Sequence, residues 1–183
     1  MNAINISCYT STTMSVLTRD EIIKRIKSGE IIIDPFDESS VGPASVDLHL
    51  DNQFRVFEKR TEPYPLDENA SYEDITKILP PQDEFILQPD QTIHAITIEK
   101  LMLPTNLCGW LEGKSSLGRL GLAIHITAGF IHPGVVNKQV LEINNMSPVP
   151  LILHKGIAIC QVIFEETIGN AKYEGKFQGQ EKP

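Results

Sequence analysis

The sequence predicts a mainly β protein, a sandwich or barrel, with one helix near its start. Runs rich in Ile, Val, Leu and Phe recur at roughly ten-residue spacing, which is typical of these folds. Pro, Gly and Asp separate the runs. The candidate strands are EIIID (30–34), SVDLHL (45–50), QFRVFE (53–58), EFILQ (84–88), TIHAITI (92–98), NLCGWLEG (106–113), LAIHI (122–126), QVLEIN (139–144), PLILH (150–154) and IAICQVIFEE (157–166).

The helix is predicted after Thr18. Thr18 and Glu21 have the spacing of a capping box, and Gly29 is a stop signal. Between them Ile22, Ile23 and Ile26 form an apolar stripe.

Residues 1–14 are polar and aperiodic, so we expect a loose N-terminal extension. Residues 15–183 then form a single domain. Within it, segment 61–83 is rich in Pro and acidic residues and predicts an insertion loop, in which SYEDITKIL forms one or two helical turns.

Composition limits the class of protein. A chain of 183 residues with 41% hydrophobic content is long enough to bury a sizeable core. Its three cysteines form no C-x-x-C pair and predict reduced thiols, hence a cytoplasmic protein. No apolar run approaches the length that a membrane span needs, so we expect no membrane association.

The net charge of −8 argues against a nucleic-acid partner, which requires a basic surface. Residues 1–112 hold 9 Lys and Arg against 19 Asp and Glu, whereas residues 113–183 hold 7 against 5. The second part therefore suits a small polyphosphate, although chance variation in surface charge explains the asymmetry equally well.

GKSSLGRLG (113–121) predicts a tight turn and a short helix that present Lys114, Ser115 and Arg119. Backbone amides, hydroxyl groups and two cations make an anion-binding cradle. The motif lacks the spacing of a P-loop, and a solvated cationic turn is the alternative.

Glu142 lies in the middle of an apolar candidate strand. A buried carboxylate needs partners or an altered protonation state, and in a cleft it can act as a general acid and base. The alternative is a strand with one wet face that carries Glu142.

A protein zinc site is not expected. The H-x-E and P-C-x-x-C pieces of the zinc deaminases are absent, and the five histidines are isolated. Cys108 and Cys160 have apolar neighbours and are interpreted as core residues rather than catalytic thiols.

The tail, about 165–183, contains AKYEGKFQGQ, in which aromatic, basic and amide side chains alternate with glycines. This composition is typical of a lid that closes over a ligand, and a frayed terminus is the alternative.

Several motifs together resemble the dCTP deaminase family, which is related to the trimeric dUTPases. They are EGKSSLGRLG, HITAGFI, VLEINN and KFQGQ, in that order. LTRDEIIKRIKSGEIIIDPFD resembles the family's opening helix and strand, and ASVDLHL resembles its first motif, with Asp47. The resemblance runs from about Ser15 to Gln180.

The resemblance implies a distorted β-barrel or jelly roll that assembles as a homotrimer, with active sites shared between subunits and no zinc. It implies that magnesium binds only through the nucleotide phosphates. The substrate is dCTP, and dUTP and the inhibitor dTTP are further candidate ligands. The family's substrate contacts carry over to Lys114, Ser115, Ser116, Leu117, Gly118, Arg119, His132, Val140, Leu141, Glu142, Gln161, Tyr173, Lys176 and Gln180.

The same resemblance implies the catalytic roles. Glu142 transfers the protons of deamination, Ser115 and Arg119 hold the water and the carboxylate, and the backbone around Ala128 orients the base. Gly129 and Phe130, in TAGF, match members that convert dCTP directly to dUMP, whereas members that stop at dUTP tend to carry His and Arg there.

His132 departs from the family pattern, because IHPG stands where the family has I-D-P-G. The family's carboxylate contacts the sugar and helps to activate water for attack on the α-phosphate. A histidine can bind a hydroxyl or act as a base near neutral pH, but it holds no permanent negative charge.

Four functions follow from these residues. The leading hypothesis is a dCTP deaminase that forms dUMP for thymidylate synthesis. The alternatives are a deaminase that stops at dUTP, a dUTP pyrophosphatase without deamination, and a non-catalytic nucleotide sensor. His132 motivates the last, as does Lys114, where many relatives have arginine.

Overall fold

This computed structural model describes residues 15–125 and 127–183 of the chain. The described residues contain eleven strands and two α-helices. The helices are α1 (Arg19–Lys27) and α2 (Ser115–Gly118). The strands are β1 (Ile32–Asp34), β2 (Val46–Phe57), β3 (Thr76–Ile78), β4 (Glu84–Leu87), β5 (Thr92–Met102), β6 (Leu107–Gly113), β7 (Leu122–Ile124), β8 (Phe130–Ile131), β9 (Val136–Asn145), β10 (Leu151–His154) and β11 (Ala158–Glu166).

Nine strands form one antiparallel sheet in the order β7-β9-β5-β2-β11-β6-β8, with β1 added to β5 and β3 added to β2. β4 and β10 form a separate antiparallel pair. The sheet curls so far that a Cβ added to Gly113, at the end of β6, would lie 3.8 Å from Cβ of Ile124 on β7. The predicted mainly β fold with an N-terminal helix is confirmed.

The strand boundaries differ from the sequence prediction in two places. SVDLHL and QFRVFE join into the single strand β2, because the polar residues between them form a register shift against β5 instead of a turn. β3 was not predicted. It occupies part of segment 61–83, where one 3-10 turn at Tyr72–Asp74 precedes it.

α1 begins and ends where the sequence predicts, but Thr18 does not form the predicted capping box. Its side chain makes no capping hydrogen bond, and Glu21 instead pairs with Lys24 and Arg25 one turn later. Gly29 takes φ +77°, the left-handed conformation that ends helices. Within the described residues neither helix has the length and apolar character needed to cross a membrane.

The core is one cluster of buried side chains. Its fully buried large members include Ile22 of α1, Leu48, Leu50 and Phe54 of β2, Ile93 of β5, Leu107 of β6, Leu141 of β9 and Phe164 of β11. Phe54 also stacks on Phe85 of β4, with ring centroids 4.9 Å apart. This contact attaches the β4–β10 pair to the large sheet.

Replacing Phe54 with alanine tests that attachment. We expect Phe54→Ala to lower the free energy of unfolding by about 3–5 kcal/mol, because it removes a buried ring and leaves a cavity. Urea unfolding at one fixed protein concentration measures the change. Leu66→Ala is the matched control, since Leu66 is 90% exposed. Equal effects of the two substitutions would contradict this description of the core.

Candidate active site

A cavity of about 530 Å³ lies between β9, the segment that ends in β8, and the C-terminal tail. Of the described residues, those that line it are Tyr72, His94, His125, Ala128, Phe130, Ile131, His132, Val135, Asn137, Gln139, Val140, Glu142, Tyr173, Phe177, Gln180 and Pro183. Seven of them were predicted as site residues: Ala128, Phe130, His132, Val140, Glu142, Tyr173 and Gln180. The cavity therefore collects one part of the predicted site.

Glu142 enters the cavity from β9. Its neighbours Leu141 and Ile143 are fully buried in the core, and alternation along the strand turns Glu142 to the opposite face. Its side chain is 35% exposed, whereas its Oε2 atom is buried. The sequence left open whether Glu142 is a buried carboxylate or lies on a wet strand face. The structure shows features of both, because one carboxylate oxygen is buried while the side chain still reaches the cavity.

His125 is the residue most closely connected to Glu142. Its backbone N–H donates to the Glu142 carbonyl at 2.8 Å, and its ring Nε2 lies 2.8 Å from the carbonyl oxygen of Ala128. Its Nδ1 lies 3.2 Å from Oε2 of Glu142, but the pair is not aligned as a hydrogen bond. His125 also has φ +52°, an uncommon conformation for a residue with a Cβ.

His94 faces Glu142 from the neighbouring strand, because the two residues are directly paired between β5 and β9. Burial lowers the pKa of His94, the Glu142 carboxylate opposes that shift, and the cation of Arg55 adds to it. His94 therefore presents a neutral imidazole to the cavity near pH 7.

Gly129 determines the path of the segment that carries Ala128 and Phe130. Its carbonyl accepts a 2.7 Å hydrogen bond from the Leu111 N–H, and a Cβ at Gly129 would lie 2.8 Å from the Leu111 carbonyl oxygen. Only a glycine permits this approach. The close contact holds the Ala128 backbone at the cavity.

The tail lies over the cavity and contacts β9. Gly179 N–H donates to the Val136 carbonyl and Lys138 N–H donates to the Gln180 carbonyl, at 2.8 and 3.0 Å. Tyr173 stacks on His132, with centroids 5.2 Å apart and planes 10° apart. His132 is thus exposed on one side and covered by the tail's aromatic ring on the other.

Arg55 lies beside the cavity, where it contacts two of the lining residues. It is 8% exposed, donates from Nε to the Pro183 carbonyl at 2.8 Å, and lies over the Tyr72 ring, 5.0 Å from its centroid. Lys176 approaches the same ring, at 5.7 Å. The predicted ligand residue Lys176 therefore lies at the rim of the cavity and does not line it.

The predicted loop 114–119 does not line the cavity. Ser115–Gly118 form the predicted short helix, and Lys114 is paired with Asp47. The side chains of Ser115, Ser116 and Arg119 form no hydrogen bond or ion pair with the rest of the described chain. These exposed groups are available to a ligand or a partner.

Two further predicted residues lie outside the cavity. Gln161 is beside loop 114–119, since its amide donates to the Gly113 carbonyl at 3.2 Å and accepts from Ser45 Oγ at 2.7 Å. Leu141 is fully buried, so only its backbone is available to a ligand. Leu117 and Gly118, the remaining predicted residues of loop 114–119, also lie outside the cavity.

Neither metal ligands nor reactive thiols are found where the structure describes the chain. No group of three or more His, Cys, Asp or Glu side chains there is arranged to hold a metal ion. Cys108 and Cys160 are buried, and burial raises the pKa of both thiols. Their thiols therefore stay protonated and unreactive near pH 7.

Sequence reasoning missed several cavity residues: Tyr72, His94, His125, Asn137, Gln139 and Phe177. Tyr72 belongs to the predicted insertion loop, and the two histidines were described only as isolated residues without a zinc site. Pairing between strands brings His94 to Glu142, and no single-strand pattern encodes that pairing.

Comparison of the sequence with models of known protein families agrees with these observations. The sequence model of the family described as dCTP deaminase-like matches residues 16–167. The chain belongs to the dCTP deaminase-like family. One relative, named "dCTP deaminase, dUMP-forming", from Streptomyces coelicolor is 40% identical over 177 residues, which cover 92% of each chain. A relative of the same name from Mycolicibacterium vanbaalenii is also 40% identical, over 92% of this chain and 93% of its own.

A solved structure supports the fold of this dCTP deaminase-like chain. It is similar to the crystal structure of 2'-deoxycytidine 5'-triphosphate deaminase from Agrobacterium tumefaciens, with a TM-score of 0.65 and 20% sequence identity. The match covers 84% of this chain and 49% of the other, so the chain spans about half the length of that protein.

Proposed function

We propose that this protein converts dCTP to dUMP, ammonia and pyrophosphate. The observation that carries the proposal is Glu142, which extends into a cavity with one oxygen buried and the side chain partly exposed. Family membership and the name shared by the relatives, "dCTP deaminase, dUMP-forming", support the same reaction.

The cavity extends along β9, where Asn137 and Glu142 both line it five residues apart, roughly 17 Å in an extended strand. A cytosine ring beside Glu142 then directs its deoxyribose towards His132 and the tail. The carbonyl of Ala128 and the backbone of Val140 lie at the base end of this arrangement.

Deamination adds water to carbon 4 of the cytosine ring. Glu142 takes a proton from the water and gives it to ring nitrogen 3. It then moves the proton of the added hydroxyl to the amino group, which leaves as ammonia. Ser115 and Arg119 hold the water and the carboxylate, so positioning supplies the activation.

The triphosphate binds residues of loop 114–119 together with Gln161, Tyr173, Lys176 and Gln180. Magnesium enters with the substrate, bound to its phosphates. Asp47 lies beside this loop and is paired with Lys114. A dTTP inhibitor would use the same phosphate contacts.

The second step is attack of water on the α-phosphate, which releases pyrophosphate and leaves dUMP. His132 occupies the cavity on the tail side and is stacked on Tyr173. We propose that its imidazole takes the place of the family's carboxylate as the base and as the partner of the sugar hydroxyl.

A homotrimer completes the site. Within one chain, loop 114–119 and Gln161 lie outside the cavity that contains Glu142. The loop side chains that have no partner among the described residues can meet the cavity of a neighbouring subunit.

The buried protonated thiols suit a reducing compartment, and we place the reaction in the cytoplasm.

Replacing Glu142 with glutamine tests the assigned reaction. The parent protein with dCTP and magnesium should release ammonia and pyrophosphate together. Glu142→Gln should lower ammonia release by about 10²–10⁴-fold, the usual contribution of a general acid and base. Pyrophosphate release from dUTP should fall far less. Binding of dCTP by a parent protein that turns over neither dCTP nor dUTP would leave only the sensor. An unchanged ammonia rate in Glu142→Gln would refute the role of Glu142.

Mixing two inactive variants tests the shared site. Arg119→Ala and Glu142→Gln are each expected to lack deaminase activity. Co-expressed and purified through two different tags, the mixed trimers should recover about one third of the parent rate, because one of their three sites joins two intact segments. Mixed trimers that stay as inactive as the separate variants would show that both segments act within one chain.

Substitutions at His132 separate the two steps. We expect His132→Ala to lower pyrophosphate release from dUTP by about 10–100-fold, because a base is lost, while ammonia release falls by less than about 3-fold. His132→Asp should retain pyrophosphate release. The matched control is His154→Ala, since His154 is exposed on β10, outside the cavity. Equal losses of both products in His132→Ala would contradict the assignment.

A further inference from the structure

Two buried polar atoms face each other at the base of the cavity. Nδ1 of His125 and Oε2 of Glu142 are 3.2 Å apart, and neither has a hydrogen-bond partner among the described residues. Buried polar atoms of native proteins nearly always have a partner. This pair is therefore incomplete as it stands, and a small rotation of either side chain would align the two atoms.

The carbonyl of Ala128 determines where the ring carries its first proton. A carbonyl oxygen only accepts, so Nε2 of His125, 2.8 Å away, must carry hydrogen. If that were the ring's only proton, Nδ1 would direct a lone pair at a carboxylate oxygen. One additional proton between Nδ1 and Oε2 converts this repulsive contact into an attractive one.

The backbone holds the ring in this position. His125 N–H donates to the carbonyl of Glu142 itself, so main chain and side chain of the two residues are joined. The left-handed φ of +52° costs conformational free energy in a residue with a Cβ. Such backbone conformations persist only where the surrounding structure enforces them, and they cluster at active sites.

His94, paired with Glu142 across β5 and β9, is a second titratable side chain beside it among the described residues. Burial and the cation of Arg55 lower the pKa of His94, which stays neutral. His132 and Tyr173 contact each other on the tail side of the cavity. The Glu142 side chain is 35% exposed, so its other carboxylate oxygen still reaches the cavity while the buried Oε2 faces His125.

We infer that His125 is a positioning residue for the deamination proposed above: its protonated Nδ1 holds Oε2 of Glu142 and leaves Oε1 for the reaction. Oε1 then has one orientation, towards the attacking water, and performs each proton transfer in turn. His125 touches neither water nor base, and its own protons stay in place through the cycle.

Two substitutions of His125 separate its two contacts. The amide nitrogen of His125→Asn can occupy the position of Nδ1, so it keeps a donor to Glu142 and loses the contact with Ala128. The amide nitrogen of His125→Gln can occupy the position of Nε2, so it keeps Ala128 and loses Glu142. Asparagine also tolerates the left-handed backbone. His154→Gln, on exposed β10, is the control.

The expected result is a difference between the two variants in kcat for ammonia release from dCTP. His125→Gln should lower kcat by about 30-fold or more with KM changed by less than about 3-fold, whereas His125→Asn should stay within about 5-fold of the parent. Pyrophosphate release from dUTP, which needs no deamination, should fall far less in His125→Gln than ammonia release from dCTP. Equal losses in both variants, no loss, or a change confined to KM would overturn the inference.

Nitrogen NMR of histidine-labelled protein gives a second result that requires no turnover. At pH 7, Nδ1 of His125 should be protonated in the parent and unprotonated in Glu142→Gln, where the carboxylate is gone. An unprotonated Nδ1 in the parent would overturn the inference even if ammonia is released. A parent that releases no ammonia but shows the protonated Nδ1 would instead refute the proposed reaction and retain the His125–Glu142 pair.

Discussion

The pairing of β9 with β5 is the constraint on which the candidate site depends. β9 alternates between the core and the cavity, with Leu141 and Ile143 on one face and Glu142 on the other. A slip of one residue would place the carboxylate in the core and two apolar side chains in the cavity. The burial of the two apolar neighbours therefore positions the proposed catalytic group, and the same register places His94 opposite it.

A register shift lets one strand supply both ends of the cavity. Strict alternation would send Gln139 and Val140 to opposite faces of β9, yet both line the cavity. Between the pairs Ile96–Val140 and Lys100–Lys138, β5 has two more residues than β9, so the strands bend locally. Asn137 Nδ2 donates to the Phe177 carbonyl of the tail at 3.2 Å, and Gln139 Nε2 donates to Asn137 Oδ1 at 2.6 Å.

The candidate site consists of elements with different degrees of constraint. Glu142 and His94 lie on paired strands, and Ala128 is held by the close approach of Gly129 to Leu111. The tail is attached by backbone hydrogen bonds to β9 and by the stack of Tyr173 on His132. Loop 114–119 has little contact with these elements. The proposed base end therefore lies on paired strands, and the loop proposed to bind phosphate is less closely attached to them.

The sequence alone determined the mainly β class, α1 and its end at Gly29, most strands, and the short helix after Lys114, because these follow from local periodicity and turn chemistry. The motifs also indicated the family and Glu142. Only the tertiary structure placed His94 and His125 beside Glu142, brought Tyr72 to the cavity, and left Leu141 in the core. Those relations join residues that are 17 to 70 positions apart, and strand register decides them, which no local pattern encodes.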